Sequence, residues 1–223
     1  GDLSLLKDLN KNIAVIGLVD PDDEIRKRES DVVNILVRNN LTVVSGLAKG
    51  CDTIAHRACL DFSGKTISIL PSQINKIYPA ENRDLAEEIV NSGGLLLSKY
   101  YKDTTTKLEA INRFVERDRL QAMFSKAVIL IASYRKGEGD SGSRHAMEAA
   151  KKYKIERYVM YNSKIDENNK RFGLNKDLAN SMDMNKVTIL STNSINHITA
   201  LKNQDLVKNT YFNDFEQVPL IPK

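Results

Sequence analysis

Short apolar, β-branched runs alternate with longer segments of helical period from Asn12 onward, and a chain patterned this way folds as a parallel sheet joined by helical crossovers. The runs predict strands at Ile13–Ile16, Thr42–Ser45, Thr66–Leu70, Leu95–Ser98, Ala127–Ala132, Arg157–Tyr161 and Val187–Leu190. Helices are expected at Asp23–Arg38, Thr53–Asp61, Asn82–Ser92, Asn112–Phe124, Ser143–Tyr153 and Ile195–Leu201, with a shorter one near Leu174–Met182. The polar stretch Ser163–Arg171 has no apolar period and reads as an exposed loop. With 223 residues the chain can bury one substantial core, so a single α/β domain over residues 1–201, its core starting near residue 12, is expected to precede a tail at 202–223. Tyr211, Phe212, Phe215, Val218, Leu220 and Ile221 of the tail suit docking on the domain, or engagement of another subunit or partner.

A formal charge of +4 is compatible with nucleic acid and does not demand it, so the placement of the basic residues has to decide. Cys51 and Cys59 lie on one expected helix, roughly 12 Å apart, beyond the ~7 Å reach of a disulfide. Free thiols suit a reducing compartment. No apolar run approaches membrane-spanning length and the start of the chain has no signal pattern, which gives the expectation of a cytoplasmic protein with no membrane partner.

At Leu41–Leu60 an apolar strand runs into a turn bracketed by Gly46 and Gly50 and then into a helix that Asp52 can cap. Backbone N–H groups and the positive end of the helix dipole would face that loop, as in anion sites, although many folds make the same turn and bind nothing. A second arrangement of this kind runs through Gly137, Glu138, Gly139 and Asp140 to Ser141-Gly142-Ser143-Arg144. Ligands of open parallel sheets gather beyond the carboxyl ends of the strands, which predicts convergence of the loops after Ile16, Val44, Leu70 and Ala132. On the helix at Asn112–Phe124, Arg113 and Arg117 share a face while Arg119 is turned about 200° from Arg117. This is either a basic binding surface or a solvated helix in which Glu109, Glu116 and Asp118 balance the arginines. His56 and His145 start their helices and suit acid–base work or simple packing. No ligand spacing for a metal is present, and Ser45, Ser141 and Ser143 have no recognisable His-Asp partners.

As a string, Ser45-Gly46-Leu47-Ala48-Lys49-Gly50 with Asp52, Ala55-His56 and Leu60 resembles the signature of the DprA/Smf family, the DNA-processing proteins of bacterial transformation. Further matches follow in order at Gly64–Leu70, Ile77-Tyr78-Pro79, Asn82, Leu85, Gly94–Ser98, Phe114–Arg119, Ser141-Gly142-Ser143, Gly173, Asn175 and Leu178, so the resemblance covers about Asn12 to Leu201. It implies a Rossmann-like parallel sheet flanked by helices that binds and protects single-stranded DNA and helps load a RecA-type recombinase. It further implies a homodimer with no catalytic residue and no cofactor. The phosphate-binding residues it points to are Ser45, Gly46, Lys49, Gly50, Asp52, Arg117, Arg119, Ser141, Gly142, Ser143 and Arg144, with Lys99 and Lys126 as further cations and Tyr78, Tyr100, Tyr101 or Tyr134 for stacking. The chain departs from the family at Gly17-Leu18-Val19, usually Gly-Ser-Arg, at Pro71-Ser72-Gln73, usually Gly-x-Gly, and at Asp118, which replaces the Asn of an Arg-Asn-Arg motif. These losses narrow any phosphate pocket or close it. Two alternatives stand: a sensor or LOG-like phosphoribohydrolase for a nucleotide-derived molecule, with Glu148 the nearest acid to the altered motif, and a scaffold that has lost its ligand.

Overall fold

In the computed structural model of the chain, the residues described are 1–139, 142–181, 187–191, 194 and 198. The strands are β1 (Asn12–Ile16), β2 (Thr42–Ser45), β3 (Thr66–Ile69), β4 (Leu95–Leu97), β5 (Ala127–Leu130), β6 (Glu156–Val159) and β7 (Val187–Ile189). The helices are α1 (Asp23–Arg38), α2 (Cys51–Asp61), α3 (Arg83–Asn91), α4 (Lys107–Met123), α5 (Ser143–Lys152) and α6 (Gly173–Ala179). All strand pairings are parallel, in the order β4-β3-β2-β1-β5-β6-β7. The expected Rossmann-like α/β architecture is therefore present. Parallel strands are covered by helices on both faces, which is why β1 and β5 are buried along their whole length instead of alternating.

Strand order fixes where a ligand can gather. The chain builds outward from β1 to β4, and α4 then carries it back to β5 on the other side of β1. The direction of winding reverses between β1 and β5, so the loops that leave these two strands diverge and open a crevice.

Local chemistry moves several boundaries. Helix α2 begins at Cys51, and its N-cap is Gly50 with φ +73°, so Asp52 sits in the first turn and is not the cap. A Cβ on Gly50 would come within 2.3 Å of the Leu18 carbonyl, so only glycine fits. Helix α4 begins at Lys107, well before Asn112, because Thr106 caps it by accepting from the Glu109 N–H at 3.1 Å. The stretch Ser163–Arg171 is largely exposed, as expected, except at one residue. Asp166 within it is buried and holds the equally buried Arg28 of α1 in a bidentate pair at 2.8 and 2.9 Å, and the Arg28 guanidinium lies 5.0 Å from the Phe172 ring centroid. Asp166 also accepts from the Asn162 N–H at 2.8 Å, so one carboxylate ties α1 to the turn after β6. Cys51 and Cys59 are both free and buried. No helix among the described residues is long and apolar enough to cross a membrane. The helix expected at Ile195–Leu201 falls outside the described residues except for Ile198, which packs in the core, and the tail at 202–223 lies wholly outside them.

Breaking the Arg28–Asp166 pair leaves a buried guanidinium without its counter-charge. Asp166→Ala is therefore expected to cost ~3–5 kcal/mol of unfolding free energy, read from urea denaturation, while Arg28→Met with Asp166→Leu recovers most of the loss.

Candidate functional site

Arg117 occupies the crevice at the reversal point. Its Nη1 donates to the Gly46 carbonyl at 2.7 Å and to Asp52 Oδ2 at 3.2 Å, and its Nε lies 2.8 Å from Asp118 Oδ1 as an ion pair. All three charged side chains are nearly buried. Asp52 Oδ2 also accepts from the Ala48 N–H at 3.2 Å, which folds the loop after β2 back onto the first turn of α2. Gly46 keeps a negative φ, and what it supplies is space: a Cβ there would stand 1.9 Å from Arg117 Nη1. Asp118 Oδ2 lies 3.1 Å from where a Cβ on Gly142, the N-cap of α5, would stand. The chain thus sets its own carboxylate at the helix end that favours an anion.

Among the described residues, the space that remains in this cleft is small. The cleft bounded by Gly17, Lys49, Asp52, Arg117, Gln121 and Ser143 has a volume of about 20 Å³. That accommodates one water, against roughly 300–1,000 Å³ for the pocket of a small-molecule ligand. Leu18 is buried, and Val19 borders the cleft where the related loop would carry a guanidinium.

The structure divides the expected phosphate contacts into an inner and an outer set. Ser45, Gly46, Gly50, Asp52, Arg117, Gly142 and Ser143 belong to the inner set, and their polar groups serve the fold. Ser45 Oγ donates to the Val15 carbonyl at 2.8 Å and Ser143 Oγ to the Gly17 carbonyl at 2.9 Å. Lys49 is exposed at the rim, 2.8 Å from Glu81. Arg144 lies along α5 with its guanidinium 3.7 Å from Glu148. Arg119 turns away from the cleft as its position on the helix requires; it meets Glu116 at 3.3 Å and lies 5.6 Å from the Tyr153 ring centroid. The separation of Arg117 from Arg119 that helical spacing predicts is present, and Arg117 is the one that faces inward. Ser141 lies outside the described residues. The loop at Pro71-Ser72-Gln73 does not border the cleft; it joins the segment after β4, where Ser98 Oγ donates to the Ser72 carbonyl at 2.6 Å and Gln73 Nε2 to Asp103 Oδ1 at 2.8 Å.

His56 packs as a core residue. It is fully buried, with Nδ1 2.7 Å from Thr66 Oγ1, and that hydroxyl already donates to the Val43 carbonyl at 2.8 Å. The ring is therefore the neutral Nδ1–H tautomer, and burial, reinforced by Arg117, pushes its pKa down to about 3. Glu29 is fully buried as well, and burial raises its carboxyl well above the ordinary 4.5. No cluster of three or more metal-ligating side chains occurs among the described residues. Glu148 is two-thirds exposed and makes no enclosed acid site.

Two residues whose role the sequence did not disclose pin the loops that follow the strands. Asn82 Nδ2 donates to the Leu47 carbonyl at 2.8 Å and to Thr53 Oγ1 at 2.9 Å. Asn175 accepts from the Ser133 N–H at 3.0 Å and donates to the Ile131 and Met160 carbonyls, both at 2.9 Å. Their match to a family pattern was the only signal, and it could not tell a structural peg from a ligand contact.

A family model described as DNA recombination-mediator protein A matches residues 1–196. Protein Smf of Synechocystis sp. is 37% identical over 119 residues, which are 53% of this chain and 29% of that protein. Among solved structures, DNA processing protein A from Streptococcus pneumoniae superposes with a TM-score of 0.69 at 26% identity, covering 88% of this chain and 63% of that one. DNA processing protein A from Helicobacter pylori, whose structure was described for its single-stranded DNA binding mode, gives a TM-score of 0.67 at 31% identity over 80% of this chain and 75% of that one. The matched stretches span about a third of the length of the curated relatives.

The inner and outer arginines should separate cleanly. Arg117→Ala is expected to cost ~3–5 kcal/mol, because it leaves Asp52 and Asp118 buried without a counter-charge, whereas Arg119→Ala stays within about 0.5 kcal/mol in the same urea titration. The buried His56 and Glu29 impose opposite pH slopes of ~1.4 kcal/mol per unit for one proton each. Below 6.5 the unfolded His56 takes up a proton that the folded one refuses until about 3, so stability falls toward acid. Above 4.5 the unfolded Glu29 loses a proton that the folded one keeps, so stability falls toward alkali. His56→Gln should flatten the acid arm of the stability profile relative to the parent chain, and Glu29→Gln the alkaline arm.

Proposed function

Because the chain belongs to the DNA recombination-mediator protein A family, we propose that it binds and protects single-stranded DNA through contacts to the phosphate backbone. We further propose that it works as a non-enzymatic cytoplasmic homodimer that helps load a RecA-type recombinase. One observation carries the choice of ligand. The crevice where this fold would seat a nucleotide is filled by Arg117, Asp52 and Asp118, with about 20 Å³ left. A mononucleotide sensor or a phosphoribohydrolase needs an enclosed pocket, and an extended polyanion does not. Lys49 at the rim and Lys99 beyond it, on the segment after β4, are exposed cations along which a strand can run. The relative from Helicobacter pylori, described for its binding of single-stranded DNA, supports the same class of ligand. A single Rossmann-like unit over residues 1–201 is proposed as the binding body.

Fluorescence anisotropy with labelled single strand, duplex and a nucleotide panel tests this. Single strand is expected to bind with little sequence preference and more tightly than duplex, with log affinity falling against log salt by about 0.7 per phosphate contact, and the nucleotides are expected not to bind. Lys49→Glu should weaken binding and reduce that slope without changing the melting temperature. Absence of single-strand binding at low salt, or tight binding of a mononucleotide, overturns the reading.

A further inference from the structure

Tyr101 is 81% exposed, more than any other large apolar or aromatic side chain among the described residues. It stands in the segment 98–106 between β4 and α4, at the carboxyl end of the sheet. An exposed tyrosine on a slack loop would call for no explanation, but this segment is firmly held. The Arg113 guanidinium, 7% exposed, donates to the Lys102 carbonyl at 2.8 Å and the Asp103 carbonyl at 3.2 Å, and packs 4.2 Å from the Tyr100 ring centroid. The Tyr100 N–H donates to Ser98 Oγ at 3.0 Å, and Asp103 takes up Gln73 and Lys76 with its two oxygens. A buried charge, two backbone acceptors and a neighbouring loop therefore fix the segment whose tip projects one aromatic ring into water. Lys102 Nζ lies 5.5 Å from that ring's centroid. Arg113 is one helical turn before Arg117 on the same face, about 6 Å along α4, so the platform adjoins the closed crevice.

We propose that the Tyr101 ring is a stacking platform for one unpaired base of a single strand, with Lys102 meeting the adjoining phosphate. The proposal rests on the single-strand reading and adds to it a residue and a contact type. Every base presents a π-face, so a lone exposed ring serves any sequence, and an adjacent ammonium suits the backbone. The residues that follow, Lys102-Asp103-Thr104-Thr105-Thr106-Lys107, carry hydroxyl and ammonium groups, which suit a nucleotide chain.

The test uses the intact chain with a labelled oligothymidylate and with an otherwise identical abasic strand. Tyr101→Ala is expected to weaken oligothymidylate binding by about 5- to 150-fold with the salt slope unchanged, since one stacked base is worth ~1–3 kcal/mol. Tyr101→Phe should bind like the parent. The abasic strand should bind the parent and Tyr101→Ala equally, and Lys102→Ala should reduce the salt slope by about 0.7. If the parent binds single strand and Tyr101→Ala binds it equally well, the platform is refuted while single-strand binding stands, and the exposed ring is left to a protein contact. If the parent binds no single strand, both readings fall.

Discussion

The Arg117 guanidinium is the constraint on which the carboxyl end of this sheet depends. It binds a carbonyl from the loop after β2, a carboxylate from α2 and a carboxylate from its own helix, and so joins three elements at the point where winding reverses. Gly46 is glycine because the guanidinium occupies the space of its Cβ. Asp52 serves as a counter-ion and so does not cap its helix. Asp118 is both a second counter-ion and the anion beside the start of α5. A site that supplies its own positive and negative charges is preorganised as structure.

This arrangement changes what the family signature means in this chain. Ser45, Asp52, Asn82, Ser143 and Asn175 spend polar atoms within the protein, mostly on backbone groups at the ends of β1, β2, β5 and β6 and in the turns that follow. Parallel strands ending at different heights leave N–H and C=O groups that no ladder satisfies, and a buried unsatisfied group costs free energy. The signature residues meet that requirement. A pattern in the sequence can therefore specify a crevice through the backbone groups it satisfies.

The architecture was legible because it rests on periodicity: runs such as Ala14-Val15-Ile16 and Val128-Ile129-Leu130 are apolar on both faces, which only a doubly covered strand tolerates. Helix α1 was legible to both ends, with Asp22 as cap and the apolar spacing of Ile25, Val32 and Leu36. The start of α4 was misplaced although Thr106 with Glu109 gives a capping signal, because the run of hydroxyls before it resembles a loop. The Arg28–Asp166 pair joins residues 138 apart, and no local pattern announces such a contact. At the site, helical spacing set Arg119 about 200° from Arg117, but it could not say which of the two faces inward. Arg117 and Arg119 are two positions apart in one motif, and a rotation of about 200° sends one into the protein and the other into solvent.

The place of β1 in the sheet has a consequence for how the chain is made. Ile13 pairs with Val43 on one side and with Ala127 on the other, and the second partner is synthesised more than a hundred residues later. Until β5 emerges from the ribosome, the central strand of the finished sheet is the open border of a half-built one. A border of that kind, apolar on both faces and unpaired on one side, can recruit a strand from another chain. Biogenesis thus contains an interval, set by translation speed, in which the future centre of the molecule is its most adhesive surface.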